Sequence, residues 1–188
     1  TESNIATLTN AQYHTGTVTL TGGTALKTFT VANALVAATV DGSTQLSDLR
    51  LSMGDTLAPV VNVDQAIKLG QGNDILTFVN VDDFNNKDSI TDAGGNDVVR
   101  AAFSKDSSLT LTDIEGLHII ANENVSLGMA NAKINSLVML ADIAADGDAD
   151  NSSVTPEPFN VAGVAVTDVV TLTDTNLTAL NFFADLDK

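Results

Sequence analysis

The most informative stretch of the sequence is LGQGNDILTF, at residues 69–78, and its centre recurs in AGGNDVV at residues 93–99. In both places a Gly-Asn-Asp turn is followed at once by aliphatic and β-branched residues, which are typical of strands. Gly and Asn alone are enough to make a turn. The carboxylates at the mouths of the two following strands, Asp74 and Asp97, therefore indicate a positively charged partner.

Short apolar stretches separated by Gly, Asn, Asp or Ser extend outward from this centre, as in LTLTD at 109–113 and GLHIIA at 116–121. Residues 33–40 and 177–187 each fit either a helix or a strand. The pattern predicts an all-β fold with two architectures open. One is a parallel β-solenoid of the β-roll type, in which each stretch adds a rung. The other is a β-sandwich with metal-binding turns. Asn and small residues within the stretches favour the solenoid, whereas the irregular spacing favours a sandwich or a mixture of both.

Composition limits the partners of the chain. Its 188 residues are 44% hydrophobic and 4% aromatic, with 24 acidic and 8 basic residues and a formal net charge of −16. This charge argues against nucleic acid and anionic membranes, which both require basic surfaces, and it is compatible with multivalent cations. There is no cysteine to form a disulfide, and no apolar run has the length of a membrane span. Because the chain starts with Thr1, we expect a processed product, an excised domain or a partial sequence.

The Gly-Asp turns resemble the nonapeptide of the repeats-in-toxin (RTX) calcium-binding family, G-G-x-G-x-D-x-U-x, where U is a large aliphatic residue. Around Asp74, two glycines match and Leu76 fills the aliphatic position. Around Asp97, one glycine and Val99 match, whereas Asp92 and the following Ala stand in place of two glycines. The resemblance covers residues 69–99 and implies a Ca²⁺ cofactor. The implied ligand turns contain Gly70, Gly72, Asp74, Asp88, Asp92, Gly95 and Asp97.

Spacing adds a geometric expectation. Asp88 and Asp97 are nine residues apart, which is one nonapeptide, and Asp74 and Asp97 are 23 apart, which is two nonapeptides and five residues. A five-residue bulge within residues 81–86 would place Asp97 above Asp74 in a solenoid. Calcium takes six to eight oxygen ligands, and glycine lets the turn point its carbonyl groups inward. Ordinary turns that bind no metal are the alternative interpretation.

A second acidic loop, DGDADNSSVTPE at residues 146–157, has the ligand spacing of an EF-hand loop. Its candidate ligands are Asp146, Asp148, Asp150 and Glu157. Pro156 and Pro158 exclude a normal helix after the loop, so we prefer a solvated acidic linker over a second calcium site. The expected organisation is a solenoid-like domain at 1–145, this loop or linker at 146–158, and a β segment at 159–188 that completes the same domain.

No pattern marks a catalytic residue. His14 and His118 are far apart, His118 lies in an apolar stretch typical of packing, and no serine is marked as a nucleophile. We therefore expect that the chain is not an enzyme.

The resemblance implies the surface-layer or large adhesin branch of the RTX family, in bacteria. This branch implies an extracellular structural protein at the cell surface that binds calcium and self-assembles into a layer or filament. The alternatives are an adhesin module that binds a glycan or host surface, and a calcium-folded secretion module of a larger enzyme or toxin. The expected partner is a second copy of the chain, with cell-surface polysaccharide as a further partner class and no nucleic acid or membrane insertion.

Overall fold

The computed structural model describes residues 3–6, 14–21, 28–31, 35–54, 63–121, 125–132, 134–140, 170–173 and 181–185. These residues form strands and turns without a helix. The strands, in chain order, are β1 Ser3–Ala6, β2 His14–Thr19, β3 Thr28–Val31, β4 Ala37–Asp41, β5 Asp48–Met53, β6 Ala66–Lys68, β7 Ile75–Val81, β8 Ser89–Thr91, β9 Val98–Phe103, β10 Ser107–Thr112, β11 Gly116–Ala121, β12 Val125–Ala132, β13 Ser136–Leu140, β14 Val170–Thr173 and β15 Asn181–Asp185.

Successive strands alternate between two parallel sheets. The odd-numbered strands form an eight-stranded sheet in chain order, and the even-numbered strands form a seven-stranded sheet in the same order. Every strand pairs with the strand two places along the chain, for example β7 with β9 and β6 with β8. Two strands and two turns therefore make one coil. The predicted parallel β-solenoid is confirmed, and the sandwich alternative is wrong because its Greek-key connections require antiparallel pairing.

The coils are unequal in length. Up to residue 140, paired residues are separated by as few as 18 positions, as in Val98 with Gly116, and by as many as 27, as in Thr39 with Ala66. Between β13 and β15 the separation is 45, as in Ser136 with Asn181. Between β4 and β13, part of the difference in coil length lies in the turns, where insertions are tolerated.

Where side chains are described, the core lies between the two sheets and is made mainly of the inward residues of the strands from β4 to β13. Burial alternates along β5, where Leu49, Leu51 and Met53 are buried and the residues between them are partly exposed. Aromatic rings fill part of the core beside β7, where the Phe78 and Phe84 rings stack at 4.9 Å between centroids. This burial supplies the main stabilisation of the fold, at about 25 cal/mol for each Å² of apolar surface removed from water.

Both segments that fitted either a helix or a strand contain strands, β4 in the first and β15 in the second. The phrase VTLT or LTLT, which occurs at residues 18–21, 109–112 and 170–173, falls each time in or at the end of a strand of the seven-stranded sheet. The acidic loop at 146–157 lies outside the described residues.

Candidate metal centre

The turns that lead from the seven-stranded sheet to the eight-stranded sheet stack on one edge of the solenoid. We call the segments 42–47, 69–74, 92–97 and 113–115 the corner turns. Their glycines allow the coils to touch. A Cβ on Gly72 would stand 2.5 Å from the Asp48 nitrogen, and a Cβ on Gly95 would stand 1.9 Å from the Gly72 carbonyl oxygen. Gly95 also has a φ of +144°, which side chains rarely adopt. Gly70 is equally close to the Gln45 backbone, at 2.6 Å.

A ladder of carboxylates joins the corner turns of successive coils. The Leu49 amide donates to Asp74 Oδ1 at 2.7 Å, and the Asp74 amide donates to Asp97 Oδ1 at 2.7 Å. The Asp97 amide then donates to Glu115 Oε2 at 2.8 Å. The register places Asp97 over Asp74, since the following residues, Ile75 and Val98, are paired. We call Asp74, Asp97 and Glu115 the carboxylate ladder.

A second ladder on the outer side explains the Asn of the first Gly-Asn-Asp turn, Asn73. The Asn73 amide donates to Asp48 Oδ1 at 2.8 Å, and the Asn96 amide donates to Asn73 Oδ1 at 3.0 Å. Each side chain on this ladder therefore accepts from the next coil, whereas each carboxylate on the first accepts from the coil before it. The pair Asn73 and Asp74 therefore accepts hydrogen bonds from both neighbouring coils, which is the structural reason that this turn needs both residues.

Two members of the carboxylate ladder, Asp74 and Asp97, meet a third aspartate, Asp92. Asp74, Asp92 and Asp97 each offer a carboxylate oxygen, and these oxygens all lie within 4.8 Å of one another. The aspartates are 0%, 5% and 0% exposed, respectively. Asp74 is satisfied, because its Oδ1 accepts from Leu49 and its Oδ2 accepts from the Gly70 amide at 2.9 Å. Two other oxygens in the cluster are different: Asp92 Oδ1 and Asp97 Oδ2 are buried and have no hydrogen-bond partner.

Burial perturbs the acidity of this cluster, as does the hydrogen bond that the Asp92 and Asp97 side chains form when they share a proton. Burial raises the pKa of Asp97 to about 8, and the charges of Asp92 and Asp74 contribute to the increase. Burial also raises the pKa of Asp92 and Asp74. Each pair of ionised carboxylates at such a separation repels by at least about 3 kcal/mol at an effective dielectric constant of about 20. The cluster therefore requires either a proton or a cation.

The donor set identifies the kind of cation that fits. The cluster offers carboxylate oxygens and contains no imidazole or thiolate, so it suits a hard cation rather than zinc or copper. The two unpartnered buried oxygens are the atoms that a cation would satisfy. These residues therefore form a centre that can hold a metal ion.

Comparisons with protein-family models, curated proteins and solved structures find no match. The RTX resemblance of residues 69–99 thus stays a prediction, and the chemistry of the centre depends on its own geometry. In the part of the chain that the structure describes, no helix has the length and apolar character needed to cross a membrane.

Asp88, a predicted calcium ligand, lies on the opposite edge, in the turn before β8. Its Oδ1 accepts from the Gln65 amide at 2.8 Å, and its Oδ2 accepts from the Asn85 amide at 2.8 Å. Asp88 therefore links two coils by hydrogen bonds, as Asp74 does. It does not belong to the three-aspartate cluster. The four candidates of the acidic loop, Asp146, Asp148, Asp150 and Glu157, lie outside the described residues.

Replacing Asp88 with Asn is expected to lower the free energy of unfolding by about 1–3 kcal/mol, because the amide group presents a donor to one of the two backbone amides and leaves it buried without an acceptor. Calcium affinity is expected to stay at the wild-type value. Urea unfolding with and without calcium measures the first effect, and calorimetric titration measures the second. A D88N variant of normal stability that has lost calcium binding would instead make Asp88 a ligand.

The raised pKa of Asp97 predicts an unusual pH dependence in the presence of a chelator. The folded-state pKa of about 8 lies above the usual 3.8, so the folded protein holds a proton that the unfolded chain releases. Stability is therefore expected to fall as pH rises from 6.5 to 8. Burial, and to a smaller extent the charge of Arg100, lowers the folded-state pKa of His118 from its usual 6.5 to about 4. His118 therefore changes stability mainly below pH 6.5 and does not interfere in this window. Melting temperatures in chelator test this, and the Asp97→Asn variant should show no such fall.

Proposed function

We propose that the chain is a calcium-binding structural protein of the bacterial cell surface, which folds outside the cell and self-assembles into a layer or filament. The observation that carries the proposal is the pair of buried, unpartnered carboxylate oxygens on Asp92 and Asp97, next to Asp74. Calcium fits this centre because it prefers several carboxylate oxygens and accepts irregular geometry. The resemblance of residues 69–99 to RTX turns supports the same ion.

Asp74, Asp92 and Asp97 would hold the ion, and Gly72 and Gly95 keep the backbones of adjacent coils close enough to form the centre. Bound calcium supplies the positive charge that three buried carboxylates lack. Because Asp74 and Asp97 belong to different coils, holding one ion between them joins coil to coil. In this proposal the metal has a structural role, and the chain performs no catalysis.

The charge of the chain supports assembly that depends on cations. At a formal −16, copies of the chain repel one another at long range, and divalent ions remove this repulsion by screening and bridging. Millimolar extracellular calcium would therefore both complete the fold and permit contact between copies.

Two measurements on chelator-stripped protein test the proposal. Calorimetric titration should show calcium binding below millimolar concentration, and light scattering with electron microscopy should show layers or filaments only when calcium is present. Absence of calcium binding at millimolar concentration would overturn the metal role. Calcium binding by a chain that stays monomeric would overturn the assembly role and favour an adhesin module, to be tested by glycan binding.

A further inference from the structure

Glu115 occupies the ladder position that Asp74 and Asp97 occupy in earlier coils, one residue before a strand. The following residues of these three coils, Ile75, Val98 and Gly116, are paired in register. The sequence shows no glycine turn before Glu115, so motif comparison does not find it. Its Oε2 accepts the Asp97 amide at 2.8 Å, which places the carboxylate directly beside a residue of the metal centre.

The corner turn that carries Glu115 is shorter than the turn that carries Asp92 and Asp97. Three residues connect β10 to β11, whereas six connect β8 to β9. The short turn bends sharply, with Asp113 in the left-handed region at a φ of 57°. Glu has one methylene group more than Asp, which gives a carboxylate on this shorter turn more reach toward the centre.

The charge of Glu115 also acts on Asp92, one of the two aspartates with an unpartnered buried oxygen. Burial is the main reason that the pKa of Asp92 is raised, and the charge of Glu115 contributes to the increase. Asp92 carries one of the two unpartnered buried oxygens. Glu115 is only partly exposed, and its bond to the Asp97 amide uses Oε2, so Oε1 is the atom that would bind a cation held by Asp92 and Asp97.

We propose that Glu115 is a fourth carboxylate ligand of the metal centre and binds the same cation from the next coil. The inference depends on the proposed calcium-binding function and adds a residue outside the RTX-like segment. With Glu115 the cation would join three successive coils rather than two. Four carboxylates carry more negative charge than a divalent ion neutralises, so the centre should prefer a trivalent ion of similar size.

The test compares Glu115→Gln with Asp113→Asn in the full chain. Each variant removes one negative charge from the same turn, and Gln keeps an oxygen that accepts the Asp97 amide. Calcium affinity is measured by calorimetry and Tb³⁺ affinity by luminescence, in about 0.15 M salt, where exposed charges are largely screened. Glu115→Gln should weaken calcium binding by about tenfold or more and should weaken Tb³⁺ binding further. Asp113→Asn should change both affinities by less than about twofold.

Melting in chelator separates a ligand from a purely structural residue. A ligand role predicts that Glu115→Gln melts in chelator at or above the wild-type temperature. Wild-type calcium affinity in Glu115→Gln, or an equal loss in both variants, would overturn the inference while leaving the three-aspartate centre in place. A lower melting temperature in chelator with unchanged affinity would also overturn it, because Glu115 would then only stabilise the turn. A wild-type chain that binds no calcium would overturn the proposed function itself.

Discussion

Calcium at a hundredfold excess over its dissociation constant is expected to raise the melting temperature of the wild-type chain by roughly 5–10 °C. The same calcium concentration is expected to leave the melting temperature of the Asp97→Asn variant unchanged. Binding to the folded state alone contributes about 2.7 kcal/mol at this excess. For a chain of this size, each kcal/mol shifts the melting temperature by about 2–4 °C. The measurement is a calorimetric melt in calcium and in chelator.

The Asp97→Asn variant should lose the calcium response without losing the fold. Asn keeps an oxygen that accepts the Asp74 amide, which Asp97 Oδ1 accepts at 2.7 Å. In chelator, the variant should melt at or above the wild-type temperature, because a buried carboxylate with a raised pKa is no longer present.

Asp48→Asn is the matched control for Asp97→Asn. It removes the same charge from the outer ladder and keeps the oxygen that accepts the Asn73 amide at 2.8 Å. It should respond to calcium as the wild type does. Equal calcium responses in all three proteins would contradict a metal centre at Asp97.

Gly95→Ala is expected to destabilise the chain by about 3 kcal/mol or more. Its φ of +144° alone costs an alanine about 1–3 kcal/mol. Its Cβ would in addition stand 1.9 Å from the Gly72 carbonyl oxygen, a distance that forces adjacent coils apart. Because both effects act on the backbone, the loss should already appear in chelator, as measured by urea unfolding, and it should be larger in calcium because displaced coils weaken the metal centre.

Gly94→Ala separates the two causes. Gly94 has a nearly identical φ of +145°, yet a Cβ there would meet nothing within 4 Å. Its loss should therefore stay within about 1–3 kcal/mol, the cost of the backbone conformation alone. If the two variants are equally destabilised, contact between coils at Gly95 contributes nothing to stability.

The fold was largely predictable from local chemistry. Gly-Asn-Asp turns followed by β-branched residues indicated stacked parallel strands, and the 23-residue spacing of Asp74 and Asp97 indicated that they are superposed. The extra length of this coil lies partly where a bulge was expected, because the turn after β7, residues 82–88, overlaps the segment 81–86. The register of β7 against β9 also shifts between Thr77 and Val81. The turn contains the buried Phe84, whose ring stacks on Phe78.

The membership of the site was harder to predict. Asp88 satisfies the nine-residue spacing, but a spacing of one nonapeptide places it before a strand of the other sheet. Asp92 stands where the nonapeptide has a glycine, and only the folded chain shows that its carboxylate meets Asp74 and Asp97. The sequence does not point to Glu115, because its proposed role depends on the short turn before it and on the register of β9 with β11.

The carboxylate ladder gives the stack a direction. From Leu49 to Glu115 the earlier coil always donates the amide and the later coil always accepts it. In a partly synthesised chain, the last complete coil therefore has a backbone amide without an acceptor. The carboxylate of the next coil would accept the hydrogen bond from this amide. Synthesis from the amino terminus would thus extend the solenoid one coil at a time, each new coil docking on the one before it.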